Sequence, residues 1–221
     1  MRTILLWLLL PICSLAQENA PEPTPERSSF ILKIAPLNLV NPYQLSVDGR
    51  GELAFSSRWA VDLGIGLVLH SDVFASSKGE SYRGLKLEPA LKYYTWRSGW
   101  RNNYVSIVFK YIDVNNDIFI NVSRQGNQYA EWMLQSKHLV TQGAALRFGS
   151  QRYVGPRRRL VIEPYVGLGW RQLRVKDDAL PPDAVLLEGD DSFIFSRQPG
   201  LYKTGDFMVG FYLGWAIGAF R

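Results

Sequence analysis

Past residue 28, apolar and polar positions alternate one by one, and the alternation returns in segment after segment. Leu45, Val47, Leu53 and Phe55, with Tyr43, oppose Gln44, Ser46, Asp48, Arg50 and Glu52. Trp59, Val61, Leu63, Ile65, Leu67 and Leu69 oppose Asp62, Gly64 and Gly66. Leu85, Leu87, Pro89, Leu91 and Tyr93 oppose Lys86, Glu88, Ala90 and Lys92. Val105, Ile107, Phe109 and Tyr111 oppose Ser106 and Lys110. The same rhythm sets Val140, Ala144, Leu146 and Phe148 against Lys137, Thr141, Gly143 and Arg147. It sets Leu160 through Trp170 against Glu163, Gly167, Gly169 and Arg171, and Phe207 through Ile217 against Gly210, Gly214 and Ala216. A period of two puts alternate side chains on opposite faces of a strand. With a weaker first segment at Phe30, Leu32 and Ile34, the pattern predicts an all-β chain of eight strands. No run of about 18 apolar residues follows residue 28, so a membrane helix is excluded.

Alternation alone does not say which face points inward. A soluble lipocalin-like barrel would enclose the apolar face. Three features favour the inverse, an eight-stranded antiparallel up-and-down transmembrane β-barrel over residues 29–221. The polar face is rich in glycine, which a narrow lumen needs and a washed surface does not. Aromatics gather near strand ends: Phe55, Trp59, Tyr93, Trp96, Trp100 and Tyr104 on one side, Tyr43, Tyr111, Trp132 and Trp170 on the other. Such girdles mark the two bilayer interfaces, and Trp215 is expected to join them. Connections also alternate in length, short at 56–58, 96–101 and 149–157 and longer at 70–81, 114–132 and 176–203. That rhythm fits short periplasmic turns, long outer loops and both termini in the periplasm. Lipid-facing backbone requires a closed sheet, because an open edge has no water to bond. Pro89 and Pro164, each following a glutamate, would each delete one ladder bond.

The N-terminus reads as an address. Arg2, a short apolar run over residues 4–12 and Ser14-Leu15-Ala16 predict a secretory signal peptide cleaved after Ala16. Leu10-Pro11-Ile12-Cys13 loosely matches a lipoprotein box, but bulky Ile12 favours loss of Cys13 with the leader. Residues 17–28 read as a proline-rich linker.

Composition narrows the chemistry. The 221 residues are 47% hydrophobic and 20% charged, which excludes wholesale disorder. Cys13 is the one cysteine, so the mature chain has neither disulfides nor thiol catalysis. Two histidines argue against a histidine-rich metal site, and no metal or cofactor is expected. A net charge of +5 without a basic arm gives no reason to expect nucleic acid.

The segment rhythm, the repeated Glu-Pro pairs and the final Trp215-Ala216-Ile217-Gly218-Ala219-Phe220-Arg221 resemble the small outer-membrane β-barrels of Gram-negative bacteria. The architecture is similar to the OmpA/OmpX type, and the style to outer-membrane barrel domains of Bacteroidota. The resemblance implies the outer membrane, contact with its lipid, and recognition by the barrel-insertion machinery, which reads such a C-terminal strand. Here Phe220 is penultimate. A fold of this kind implies no single activity.

The expected lumen carries Lys33, Arg50, Lys86, Lys92, Lys110, Lys137, Arg147 and Arg171 against Asp48, Glu52, Asp62, Glu88 and Glu163. The alternatives are a basic-leaning passage for small anions and a salt-bridge network that plugs the barrel. The second is favoured, since eight strands leave an interior that side chains fill. Glu88 and Glu163 are expected between lumenal cations. Asp177, Asp178, Asp183, Glu188, Asp190 and Asp191 suggest either a cation site or a solvated outer loop, with the loop favoured. Arg152 and Arg157 to Arg159 suit either a periplasmic partner or phospholipid phosphates, with phosphates favoured. His70-Ser71-Asp72 is the one local cluster of hydrolase types, but neighbours on a strand face opposite ways. The expectation is a non-enzymatic envelope protein whose outer loops meet a surface ligand or another envelope protein. A small pore is the alternative, ahead of a lipid-modifying enzyme or a soluble binder.

Overall fold

Where the period of two runs unbroken, the backbone is strand, and exposed and buried residues alternate without a break across the ten residues of Trp59–Val68. The structure, a computed structural model, describes residues 30–39, 45–69, 81–98, 100–126, 128–155, 157–188 and 199–217. The expected leader and linker lie outside these residues, as do Tyr43, His70, Ser71, Asp72, Asp190, Asp191 and Phe220. The strands are β1 (Phe30–Ile34), β2 (Ser46–Ala54), β3 (Trp59–Val68), β4 (Ser81–Arg97) and β5 (Arg101–Arg124). They continue with β6 (Tyr129–Val154), β7 (Leu160–Asp177), β8 (Val185–Glu188) and β9 (Gly200–Ile217), and a 3-10 turn covers Pro36–Leu39.

All pairings are antiparallel, in the order β4-β3-β2-β1-β9-β7-β6-β5-β8, and β4 also pairs with β5. The sheet therefore closes on itself. The sequence predicts eight strands and the structure describes nine. Eight make the ring, and β8 lies outside it on the upper part of β5, pairing Val185 with Ser123 and Leu186 with Val122.

The segment 114–132 is not an outer connection as expected. Asn115, Asn116 and Asp117 stay in the ladder opposite His138, Lys137 and Ser136, and the hairpin runs on to Arg124 and Tyr129. Three polar residues in a row imitate a loop, but antiparallel pairing to β4 on one side and β6 on the other keeps them in the ladder. Gln125 and Gly126 then reverse the chain, both at positive φ. The segment 176–203 is likewise part strand. β7 reaches Asp177, β8 lies inside the segment, and β9 starts at Gly200.

Following paired residues around the ring gives Ile217, Phe30, Leu53, Val61, Leu91, Ile107, Leu146, Leu168 and Phe207. The path returns to β9 at 207 instead of 217, an offset of ten residues. For eight strands this sets a tilt of about 40° and raises the path about 25 Å along the axis. Every side chain on the path is a large exposed apolar one, from 37% at Phe30 to 67% at Phe207.

Candidate functional site

The opposite face of each ring strand points into the ring. Lys33, Glu52, Asp62, Lys92 and Glu163 come from β1, β2, β3, β4 and β7, and all five side chains are at most 1% exposed. The carboxylates of Glu52, Asp62 and Glu163 form a triangle close enough to share one ion. Two ammonium groups take that place. Lys33 bonds Glu52, Asp62 at 3.0 Å and Glu163 at 2.6 Å. Lys92 reaches the same three at 2.7, 3.1 and 2.5 Å. Buried charges persist only when paired and hydrogen-bonded, and here neutral donors saturate the remaining lone pairs. Tyr104 donates to Glu163 at 2.6 Å, Tyr94 donates to Glu52, and Gln151 Nε2 bonds Glu52 at 2.8 Å and Glu163 at 3.1 Å.

A second layer joins the first through Arg50. Its Nε meets Asp62 at 2.8 Å and its Nη1 meets Glu88 at 2.6 Å. Lys86 bonds Asp48 at 2.7 Å, and Arg147 lies 3.7 Å from Glu88. The guanidinium of Arg147 lies over the Tyr165 ring at 4.4 Å, and that of Arg50 over Tyr212 at 4.9 Å, as cation–π pairs. Five cations (Lys33, Arg50, Lys86, Lys92, Arg147) thus face five anions (Asp48, Glu52, Asp62, Glu88, Glu163), so these two layers do not lean basic. Lys110 bonds Asp206 at 2.6 Å in a third layer. Arg171 shares the inward phase, but its side chain is 45% exposed and 4.0 Å from Asp206.

The Glu-Pro pairs mark two breaks in the ladder. Glu88 and Pro89 have no partner on β5, nor have Glu163 and Pro164 on β6, although register continues on either side. Proline supplies no donor for that ladder. At the first break Arg50 bonds the Glu88 carbonyl at 3.1 Å from inside. Inward glycines receive the large side chains. A Cβ on Gly64 would stand 2.6 Å from Arg50 Nη1, and one on Gly210 would stand 2.6 Å from the Tyr165 hydroxyl.

Outside, Trp59, Trp96, Trp100, Trp170 and Trp215 are all exposed. Tyr104 is not among them. It is 2% exposed and faces the ion cluster, as its even number on β5 requires beside outward Val105 and Ile107. Trp132 is 68% exposed but stands twelve residues along β6 from Ala144, the partner of Trp170, so the two cannot share one girdle. Above the ring, Ile120 and Val122 pack on Met133, Leu180 and Ala184, and Arg124 clips the assembly through Glu131 at 2.5 Å and Asp183 at 2.6 Å. Asp177 belongs to β7, 3.8 Å from Lys137, with its Oδ1 buried and unbonded. Burial holds its carboxyl above the usual range, with help from Asp178. Asp178 is exposed, and its amide bonds the Ser136 carbonyl.

No family model matches the chain, and no curated protein matches it. One solved structure aligns, a major outer membrane protein from Thermus thermophilus. It is 10% identical, covers 86% of this chain and 98% of its own, and has a TM-score of 0.41.

Sequence reasoning did not find the neutral partners Gln151, Tyr94, Tyr104, Tyr165 and Tyr212, nor the role of Asp206. Strand phase is the one signal they carry, and it is weak: aromatics suit either face, and Gln151 lies in 149–157, read from the sequence as a connection although β6 runs on to Val154. Uncharged residues give no signal of their own, so only that phase could have identified them.

Proposed function

We propose that this chain is an integral β-barrel of the bacterial outer membrane, with eight spanning strands, both termini periplasmic and a lumen closed by its own ion pairs. The inversion of polarity carries this reading. A closed ring exposes large apolar side chains over about 25 Å and buries charges, the height and polarity of an outer-membrane wall. Water would favour the opposite arrangement. The leader over residues 1–16 and the linker over 17–28 fit secretion to the periplasm, followed by insertion. The protein acts as a non-enzymatic envelope component, and its hairpin β5–β6 with β8 stands clear of the bilayer to meet a surface ligand or an envelope partner.

The test is mobility on a gel, with and without boiling, of protein from isolated outer membranes. The expected result is a band in the membrane fraction that shifts on boiling, because a closed barrel resists detergent. A protein found in the soluble fraction with no shift would overturn the reading.

A further inference from the structure

Directly beyond the apolar wall, the outward face of β7 and β9 gains basic residues, beside Gln142, Val140 and His138 of β6. On β7 the outward series runs from Trp170 to Gln172, Arg174 and Lys176, and on β9 from Phe207 to Gly205 and Lys203. Register places Gln142, Gln172 and Lys203 side by side, with Val140 and Arg174 in the next row and His138 beside Lys176. Arg174, Lys176 and Lys203 are exposed and have no acidic partner among the described residues. Exposed Asp178 follows Lys176 by two residues in the same outward phase, and Asp113 of β5 is engaged by His138 at 2.7 Å and by the Tyr111 hydroxyl at 3.1 Å. His138, Val140, Gln142, Gln172, Arg174 and Lys176 line an open pocket of about 100 Å³. Arg174 and Lys203 each lie four residues beyond an exposed aromatic, about 10 Å along the axis for strands of this tilt. That is headgroup depth, within reach of long side chains.

We propose that this pocket binds the phosphate of an anionic lipid headgroup in the outer leaflet, with Arg174, Lys176 and Lys203 supplying the charge and Gln142 and Gln172 neutral hydrogen bonds. The assignment rests on the membrane reading above. Guanidinium and ammonium groups are the usual phosphate partners, and here they continue a surface that already faces acyl chains.

The experiment uses the full-length mature protein, folded in non-ionic detergent and verified by its boiling shift, in native mass spectrometry. The probes are diphosphoryl lipid A, its dephosphorylated form, phosphatidylglycerol, phosphatidylcholine and inorganic phosphate. The expected result is retention of the two anionic lipids under activation that strips phosphatidylcholine and dephosphorylated lipid A. The triple substitution Arg174→Ala, Lys176→Ala, Lys203→Ala should lower the retained fraction at least tenfold and leave the boiling shift intact. Equal retention by that variant, or equal retention of dephosphorylated lipid A, would overturn the proposal alone. Displacement of the lipid by millimolar inorganic phosphate would assign the pocket to a free anion and overturn it too. Loss of the boiling shift in the unsubstituted protein would overturn the membrane reading and this one with it.

Discussion

Lys33 and Lys92 touch the same three carboxylates, so removing any member leaves buried charge without its partner. Removing one partner of a buried pair costs about 3–5 kcal/mol. Glu163→Gln is therefore expected to destabilise the protein by about 3 kcal/mol, read as a lower urea midpoint of tryptophan fluorescence in micelles. Glu163→Gln with Lys92→Met removes one charge of each sign and should recover part of the loss; an additive or larger loss would contradict the shared cluster. Asp177 follows the opposite rule. Its folded carboxyl titrates above the unfolded one, so the folded state binds the proton more tightly and stability falls as pH rises through that range. Asp177→Asn should raise the urea midpoint at pH 7 and leave it little changed at pH 3. At this scale the charges were legible because they interrupt apolar alternation. The tyrosines were not, since an aromatic suits either face, and the girdle pattern puts Tyr104 on the wrong one.

At the scale of strands, glycine has two meanings. Gly64 faces inward against Arg50, whereas a Cβ on outward Gly49 would meet nothing within 4 Å. Gly64→Val should cost about 1–3 kcal/mol through overpacking, and Gly49→Val should be neutral or mildly stabilising. Equal urea midpoints for the two variants would contradict the assignment of faces. The hairpin β5–β6 divides in the same way. Among the described residues, ring pairing to β4 ends at Ser81 opposite Asp117, and residues 118–135 pair with one another and with β8 and not across the ring. A variant with a short turn in place of 118–135 is expected to keep its boiling shift; loss of the shift would show that the extension is part of the ring's stability. Strand existence was legible from period alone. Strand ends were not, because Asn115, Asn116 and Asp117 carry loop composition while their backbones remain in the ladder. The four residues of β8 are too short to show any period.

For the molecule as a whole, the balance of five cations against five anions across two layers leaves little space or field for a permeating ion. Planar-bilayer recordings of the purified protein are expected to show no steady single-channel current, and a reproducible conductance would overturn the closed lumen. The inside-out distribution of polarity was visible in the sequence, since glycine and charge shared one face and aromatics the other. The offset of ten residues was not, because register depends on which residues meet across strands and no single strand contains that information.

Among the described residues, the shortest ring strand holds the central cation. β1 has five residues, each paired to β2 on one side and to β9 on the other, and Lys33 sits at its fourth position. First and last strands of the ring therefore meet along a seam of five described pairs, and that seam is riveted from within. Until β1 docks, Glu52, Asp62 and Glu163 have only Lys92 and Arg50 to balance them. Closing the cylinder and neutralising its interior are consequently one event, and a half-shut ring holds an electrostatic penalty that only the final strand removes.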